Sequence, residues 1–356
     1  MENLLINLSV LSRKPTGITT YANNIFLYLQ YLNPTLLISS LLPDYTCYQI
    51  PPNLTPEQGF KGHLRRLVWT QFQLPKIYKN LKSHLLFSPI PEAPLYANCR
   101  FIVMSHDIIP LRFPKRFSPL TPYHRYYTPQ VFNQAQHIIC NSEATAKDIT
   151  DFYQIPINKI TPIPLAYDRS HFQFLNLPTS NYFLYIGRQD PYKNIKRLIS
   201  SFAALPNKND YELWLAGPTD KRYTPLLEKQ LKELQITHLV KFLNYVPYDE
   251  LPIIINQALA LVFPSLWEGF GLPVLEAMAC GTPVITSNIS SLPEVAGDAA
   301  ILINPYNVGE ITAAMQEIIN DSEMRKQLSQ KSITRANQFS WEKTGLATVE
   351  VLKQYL

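Results

Sequence analysis

Short apolar runs alternate with longer amphipathic stretches along nearly the whole 356-residue chain, and no other feature constrains its fold as strongly. Apolar runs of this length are typical of buried strands, and an amphipathic stretch from about Thr19 predicts a helix. Strands separated by helices favour parallel sheets. The predicted strands cover residues 4–10, 100–105, 137–141, 159–163, 182–186, 211–216, 239–242, 258–263 and 283–286.

A loop-rich segment, residues 164–181, divides this pattern into two sets. Pro164, Pro178 and the polar residues around them are typical of a connection, and the strand pattern restarts after them. Two successive sets predict an α/β fold with two doubly wound domains. A ligand then belongs in the cleft, at the carboxyl ends of the strands.

Composition limits the class of protein. A hydrophobic fraction of 46% is enough for one or two domains with real cores. We find no run of about 20 apolar residues that would predict a membrane span, and residues 1–11 lack the basic start of a signal peptide. The scattered cysteines predict reduced packing residues of a cytosolic protein. They are Cys47, Cys99, Cys140 and Cys280.

The positive charge lies in the first half. Residues 1–166 hold 15 Lys and Arg against 8 Asp and Glu, whereas the whole chain has a net charge of +5. Two basic and aromatic segments stand out, Lys61–Lys82 and Leu111–Tyr127. Either could lie on anionic lipid or meet an anionic acceptor, or could be a helix with a basic solvent face. No nucleic-acid-binding motif accompanies them, so no nucleic-acid partner is expected.

The segment 264–276 carries the strongest site signal. It follows an apolar run, and it places Glu268 in a loop and Glu276 about one turn into a helix that Pro273 would begin. Gly269 and Gly271 would let the backbone approach a ligand closely. The free N–H groups of the helix start favour a phosphate. A sugar nucleotide fits this combination better than most ligands.

Other polar residues follow predicted strands. Arg188 and Lys193 could neutralise a diphosphate, or could be solvated loop residues. His106 and Asp107 should reach the cleft.

Gly17 lies in a first glycine loop, although one glycine after a strand is usually only a turn. Ser142 is interpreted as a helix N-cap, and Ser291–Glu294 as a helix start. The chain has no GxGxxG motif, so a nicotinamide or flavin dinucleotide site is not supported, and it has no P-loop either.

Taken together, these segments resemble the retaining glycosyltransferases of family GT4, which have the GT-B fold. The similarity runs along essentially the whole chain, and the two glutamates of Glu268–Glu276, with seven residues between them, are its most specific part. The other matching segments are Thr16–Ile18, His106–Pro110, Asn141–Glu143, Gly187–Arg188, Lys193–Asn194, Tyr245–Pro247 and Ala279–Val284. The resemblance implies two Rossmann-like domains facing a cleft. Residues 1–166 would bind the acceptor and 167–338 the nucleotide sugar, while 339–356 would form a helix crossing back to the first domain.

The resemblance also implies a role for each matching residue. Arg188 and Lys193 would hold the donor diphosphate and stabilise the leaving group, and Glu276 would bind the ribose hydroxyls. Glu268 would lie near the transferred sugar, which His106 would contact from the first domain. The remaining donor-binding residues would be Gly17 against the phosphates, Gly187 beside Arg188, Val246 against the base, and Phe270, Gly271 and Leu272 through their backbone. No metal and no resident cofactor are implied.

The stretch His106–Pro114, followed by Arg125-Tyr-Tyr, is similar to the mannosyltransferase group that builds O-antigen and other surface polysaccharides. This similarity favours GDP-mannose as the donor and a glycan or lipid-linked saccharide as the acceptor. UDP-sugars remain the alternative, because many relatives use them with the same motifs. A phosphorylase-like reaction on the same fold is a further alternative, but the chain lacks an obvious pyridoxal-phosphate lysine motif, which argues against it. A catalytically silent subunit that binds glycan or membrane is the alternative from another class. The expected location is the cytoplasm, or peripherally the cytoplasmic face of the membrane.

Overall fold

A computed structural model describes residues 3–12, 17–115 and 118–356. Lys14–Thr16 of the first glycine loop and Arg116 of the second basic segment lie outside the described residues. The described chain folds into two compact units. The first unit contains the residues up to Leu165 together with Ser340–Leu356, and the second unit is Ala166–Phe339.

The sheet of the first unit has seven parallel strands among the described residues. They are β1 (Leu4–Asn7), β2 (Thr35–Ile38), β3 (Cys47–Gln49), β4 (Leu85–Ser88), β5 (Phe101–Ser105), β6 (His137–Cys140) and β7 (Ile160–Pro162). Their order in the sheet is β3-β2-β1-β4-β5-β6-β7. The chain winds outward in one direction from β1 and in the other from β4, so the topological switch point lies between these two strands.

Helices connect these strands. They are α1 (Gly17–Leu29), α2 (Gly59–Phe72), α3 (Leu74–Asn80), α4 (Ile109–Arg112), α5 (Leu120–Pro122), α6 (Thr128–Gln134) and α7 (Glu143–Tyr153). One turn of π-helix, Tyr123–Tyr127, joins α5 to α6. Ser142 caps α7 as predicted, because its Oγ accepts a hydrogen bond from the Thr145 N–H at 3.1 Å.

The second unit repeats this plan with six parallel strands. They are β8 (Tyr182–Ile186), β9 (Glu212–Ala216), β10 (Val240–Asn244), β11 (Ala260–Phe263), β12 (Val284–Ser287) and β13 (Ile301–Ile303). The order is β10-β9-β8-β11-β12-β13, which places the switch point between β8 and β11. Both central strands are buried and apolar, as expected for parallel strands covered on both faces.

The helices of the second unit cover that sheet. They are α8 (Ile195–Ala203), α9 (Thr224–Glu233), α10 (Leu251–Asn256), α11 (Leu272–Ala279), α12 (Leu292–Ala296), α13 (Val308–Asn320) and α14 (Ser322–Ala336). In α8 the apolar residues Ile195, Leu198, Ile199 and Phe202 are buried. Their spacing of three and four residues puts them on one helical face, so the sequence pattern directly selects the side of α8 that packs inward.

The predicted α/β class with two parallel sheets is confirmed. Four strands were not predicted: β2, β3, β4 and β13. Each has only three or four residues, but so have several strands that were predicted, such as β7, so their length alone does not explain why they were missed. Their positions depend on pairing with strands distant in sequence, such as Leu86 of β4 with Leu5 of β1.

The last helix, α15 (Trp341–Lys353), belongs to the first unit and packs against α1. Gly345 makes close packing possible, because a Cβ at this position would lie 2.5 Å from ring atoms of Tyr28. The Thr344 hydroxyl donates to the Pro164 carbonyl at 2.7 Å, and the Arg100 guanidinium donates to the Tyr355 carbonyl at 2.7 Å. These contacts hold the C-terminal segment against the rest of the first unit.

No described helix combines the length and the apolar character that a membrane span requires.

We predict that Gly345→Ala destabilises the protein by about 1–3 kcal/mol, because the new methyl group overlaps Tyr28. Helix propensity alone predicts the opposite, a gain of about 1 kcal/mol. Chemical denaturation measures the difference. In a Tyr28→Gly background, which also removes the Tyr28 Cβ that would lie 2.6 Å from the new methyl group, the same change should become neutral or stabilising. An equal loss in both backgrounds would show that the contact is not its cause.

Candidate active site

The candidate active site lies at the switch point of the second unit, where the loops after β8 and β11 leave adjacent strands. The loop after β8 carries Arg188 and Lys193, and the loop after β11 carries Glu268. Because the carboxyl ends of parallel strands share one edge of the sheet, side chains distant in sequence converge here. The structure places Lys193 Nζ 2.5 Å from Glu268 Oε1.

A short turn holds Lys193 in position. Pro191–Lys193 form one turn of 3-10 helix, and Asn194 follows in the left-handed conformation with φ 64°. The Asn194 amide donates to the carbonyls of Pro264 and Pro305 at 3.0 and 2.7 Å, which ties this turn to the loops after β11 and β13. The Lys193 ammonium also lies 5.3 Å from the Phe263 ring centroid. Lysine is therefore fixed with its charge beside the Glu268 carboxylate.

Two serines after β12 hold the loop that contains Glu268. Ser290 Oγ accepts from the Glu268 N–H at 2.9 Å and donates to the Glu268 carbonyl at 2.6 Å. Ser291 Oγ donates to the Phe270 carbonyl at 2.8 Å. The predicted helix start at Ser291 is correct, since α12 begins at Leu292, but the Ser291 side chain does not cap it. These serines hold a loop that is distant in sequence, so their role can be recognised only from the folded structure.

The start of α11 presents unsatisfied backbone donors. Gly271 precedes this helix with φ 113°, and a Cβ there would lie 2.8 Å from Leu292 Cδ2, so glycine suits both the backbone and the packing. Among the described residues, the N–H groups of Phe270, Gly271 and Leu272 have no hydrogen-bond partner. Pro273 is the second helical residue rather than the predicted first. This backbone can receive an anion.

Glu276 is the fifth residue of α11, which agrees with the position predicted for it. Within the described part of the chain its carboxyl group has neither a hydrogen-bond nor an ion-pair partner. Burial without a partner raises the pKa of Glu276 to about 7. A partly buried, unpaired carboxyl of this kind can accept hydrogen bonds from the hydroxyls of a ligand.

Arg188 lies at the same sheet edge but does not contact the Lys193–Glu268 pair. Its guanidinium is 2.9 Å from the nearly buried Asp190 carboxylate, while the rest of the side chain is exposed. Gly187 donates to the Ala216 carbonyl and so joins the ends of β8 and β9. Val246, partly buried, follows β10 at the same carboxyl edge.

Two predicted site residues lie in the first unit. His106 follows β5, and its Nε2 lies 2.9 Å from the Pro89 carbonyl, to which it must donate. Its ring packs edge-on against Tyr21. Burial lowers the pKa of His106 to about 4, so the imidazole is neutral at pH 7. Gly17 is the first residue of α1.

Two family profiles match the chain. The one described as Glycosyl transferases group 1 matches residues 167–335, and the one described as Glycosyltransferase Family 4 matches residues 39–171. The first match covers the second unit's candidate site, including Arg188, Lys193, Glu268 and Glu276. The second match ends in the connection that precedes β8.

Among curated proteins, O-antigen chain mannosyltransferase B of Escherichia coli is 33% identical over 62% of this chain and 61% of its own length. The chain therefore spans less than two thirds of that relative. O-antigen chain mannosyltransferase RfbU of Salmonella typhimurium is 29% identical over 88% of this chain and 90% of its own. A solved structure, Anabaena Alr3699/HepE in complex with UDP and glucose, has TM-score 0.76 and 18% identity, covering 99% of this chain and 100% of that one. That structural likeness shows a common fold.

We predict that Glu276→Gln changes how stability depends on pH. Since the folded-state pKa of Glu276 is raised from 4.5 to about 7, its stabilising contribution is complete below pH 4.5 and is lost as the pH rises through 7. Glutamine does not titrate, so the variant should gain about 2–3 kcal/mol relative to wild type between pH 4.5 and 8.

Urea denaturation at intervals across this pH range measures the effect, with Glu228→Gln on α9 as the matched control. A constant difference between Glu276→Gln and wild type at every pH would contradict the prediction.

Proposed function

Because the chain belongs to the family 4 glycosyltransferases, we propose that it transfers mannose from GDP-mannose to a hydroxyl of a glycan or lipid-linked acceptor, with retention of anomeric configuration and without a metal. One observation carries the proposal: the Lys193–Glu268 contact lies beside the unsatisfied N–H groups that begin α11. A cation, a carboxylate and an anion-binding helix end are thus combined in one loop region. The choice of mannose rests on what the relatives are named for.

The proposed chemistry is a displacement at the anomeric carbon. The bond from that carbon to the donor diphosphate breaks, and the acceptor oxygen bonds to the carbon on the same face. The acceptor proton passes to the departing phosphate oxygen, so the protein need not supply a base. Arg188, Lys193 and the free N–H groups of α11 would stabilise the negative charge that develops on the diphosphate.

The other residues would position the donor. The Glu276 carboxyl would accept hydrogen bonds from the ribose hydroxyls, and the Val246 backbone would meet the base. Glu268 would lie near the transferred sugar, where it also orients Lys193. His106 would contact that sugar and Gly17 the phosphates, both from the first unit. A covalent intermediate on Glu268 is a less favoured role, because its carboxylate is already paired with Lys193.

Two alternatives follow from different observations. A UDP-sugar donor would use the same residues, and the structural neighbour from Anabaena was solved with UDP and glucose. A silent subunit would bind glycan or membrane without turnover. The presence of Arg188, Lys193, Glu268 and Glu276 together favours a catalyst over a silent subunit.

We also propose that the protein works peripherally on the cytoplasmic face of a membrane. On α2, the apolar residues Leu64, Val68 and Phe72 recur every four residues and are 50–63% exposed. No acidic residue occurs between positions 59 and 82, whereas Lys61 and Arg65 flank the apolar stripe. An exposed apolar face with only basic charges beside it suits anionic lipid.

Thermal unfolding with added nucleotide tests the donor site. GDP and GDP-mannose should raise the melting temperature, because a ligand of the folded state stabilises it, and UDP and ADP should act more weakly. Arg188→Ala or Lys193→Ala should weaken GDP binding about tenfold or more, since each removes a charge-assisted contact to phosphate. Lys326→Ala on α14 is the matched control.

The outcomes separate the alternatives. A larger rise in melting temperature with UDP than with GDP would indicate a UDP-sugar donor and leave the proposed enzyme class unchanged. No shift with any nucleotide would make the silent subunit the leading interpretation. When an acceptor is turned over, the anomeric proton–carbon coupling of the product, measured by NMR, decides between retention and inversion.

Vesicle co-sedimentation tests the membrane proposal. Wild-type protein should bind vesicles containing phosphatidylglycerol more tightly than pure phosphatidylcholine vesicles, and added salt should weaken the binding. The double change Leu64→Ser with Phe72→Ser should lower the bound fraction at least fivefold, because it removes apolar surface. Leu226→Ser, an exposed leucine in the second unit, should have no effect. Equal binding of all variants would contradict the proposal.

A further inference from the structure

A cavity of about 410 Å³ lies in the first unit, within the size range of small-molecule sites. It opens beside the ends of β4 and β5, and α2 and the π-helical turn form its opposite wall. Its polar lining includes His63, Arg66, Glu92 and His106. Only His106 has a part in the proposed reaction, so the remaining residues of this cavity, here named the α2 cavity, have no role yet.

The two strongest charges of the α2 cavity neutralise each other. Arg66 donates from Nε to one Glu92 oxygen at 2.7 Å and from one terminal nitrogen to the other at 2.8 Å. The second terminal nitrogen donates to the Leu54 carbonyl at 3.1 Å. Both partners are buried. Arg66 therefore holds both the Glu92 side chain and the Leu54 backbone in place, and its charge is already neutralised before any ligand binds.

The imidazoles of the cavity are also uncharged at pH 7. Burial lowers the pKa of His63, and it lowers the pKa of His106 and His124 to about 4. Asp107 adds a carboxyl group to the lining. Among the described residues that line the α2 cavity, no cation is left to balance the charge of a phosphate or carboxylate ligand.

The hydrogen bonds of two histidines determine which ring nitrogen carries the proton. Arg66 can only donate, so the His63 Nδ1 that lies 2.9 Å from it accepts, and the His63 proton is on Nε2. The Pro89 carbonyl can only accept, so His106 Nε2 is protonated and its Nδ1 is an acceptor. Among the described residues, neither the His63 Nε2 donor nor the His106 Nδ1 acceptor has a partner. A hydroxyl group can satisfy either.

The rest of the lining is apolar and aromatic. Phe60 and Tyr123 face the cavity together with Pro56, Ile90 and Leu120. The Tyr123 hydroxyl is already used, because it donates to the Pro91 carbonyl at 3.0 Å. The Tyr123 ring is also used, because it packs against the rings of His63, His124 and Tyr127. The Phe60 ring is 60% exposed and can receive the C–H surface of a ligand. Neutral hydrogen-bonding groups among aromatic rings match a pyranose, which has hydroxyls at its edge and C–H groups on its faces.

We propose that the α2 cavity binds the terminal saccharide of the acceptor and selects a neutral sugar over a phosphorylated or acidic one. This inference rests on the proposed glycosyl transfer and adds the chemical class of the acceptor to it. His63 is a specificity residue, which donates from Nε2 to a sugar hydroxyl. Phe60 supplies a stacking surface, and the Arg66–Glu92 pair holds the wall in place without attracting anions.

Saturation-transfer NMR with the full chain tests this assignment, using p-nitrophenyl α-D-mannoside as the neutral probe and mannose 6-phosphate as the anionic one. The neutral glycoside should bind at least fivefold more tightly. His63→Leu should weaken its binding about fivefold, the effect of one hydrogen bond, and His63→Gln should restore much of the loss because its amide can both accept from Arg66 and donate. His238→Leu, an exposed histidine of the second unit, is the matched control.

Tighter binding of mannose 6-phosphate, binding of neither probe, or equal affinities in wild type and His63→Leu would each overturn the assignment. GDP binding is measured on the same preparations. If nucleotide binds but the cavity variants leave glycoside affinity unchanged, the cavity assignment fails and the transferase proposal stands. If no nucleotide binds, the proposed function itself fails, whatever the glycosides do.

Discussion

The ion pair between Lys193 and Glu268 joins two loops that are 75 residues apart in sequence, and the candidate site depends on it. The pairing of β8 with β11 makes the contact possible, because it brings the ends of these strands to one edge of the sheet. In the structure, the opposite charges of Lys193 and Glu268 neutralise each other. A diphosphate that approached Lys193 would compete with Glu268 for the ammonium, which would turn the carboxylate toward the sugar.

The surrounding residues fix this pair without adding charge. Asn194 holds the lysine turn, and Ser290 and Ser291 hold the glutamate loop, all through hydrogen bonds to backbone carbonyls. Glu276 differs, because its carboxyl is left without a partner in the described chain and titrates near neutrality. The first unit also combines paired and unpaired groups. Arg66 and Glu92 are paired with each other, whereas His63 and His106 each have one ring nitrogen without a partner among the described residues. In both units, side chains whose hydrogen bonds are satisfied form the frame, and those with an unpaired group are the ones for which a ligand contact is proposed.

Much of this could be predicted from sequence. The strand Tyr182–Ile186 and the positions of Glu268 and Glu276 follow from apolar runs and from the turn chemistry around Gly271, which are local properties. The role of Ser291 and the Arg66–Glu92 pair could not be predicted, because each depends on contacts between segments more than 20 residues apart. The four short strands were missed for the same reason, since pairing rather than pattern defines them. The predicted roles of Arg188, Val246 and Gly17 in donor binding stay predictions.

A crystal structure with GDP bound would show whether the Lys193–Glu268 pair and the start of α11 form the donor site. We expect Lys193 Nζ to lie within hydrogen-bonding distance of a phosphate oxygen, the N–H groups at the start of α11 to face the diphosphate, and Glu276 to accept hydrogen bonds from the ribose. A nucleotide bound at another edge of the sheet, with the Lys193–Glu268 contact unchanged and α11 unoccupied, would contradict it.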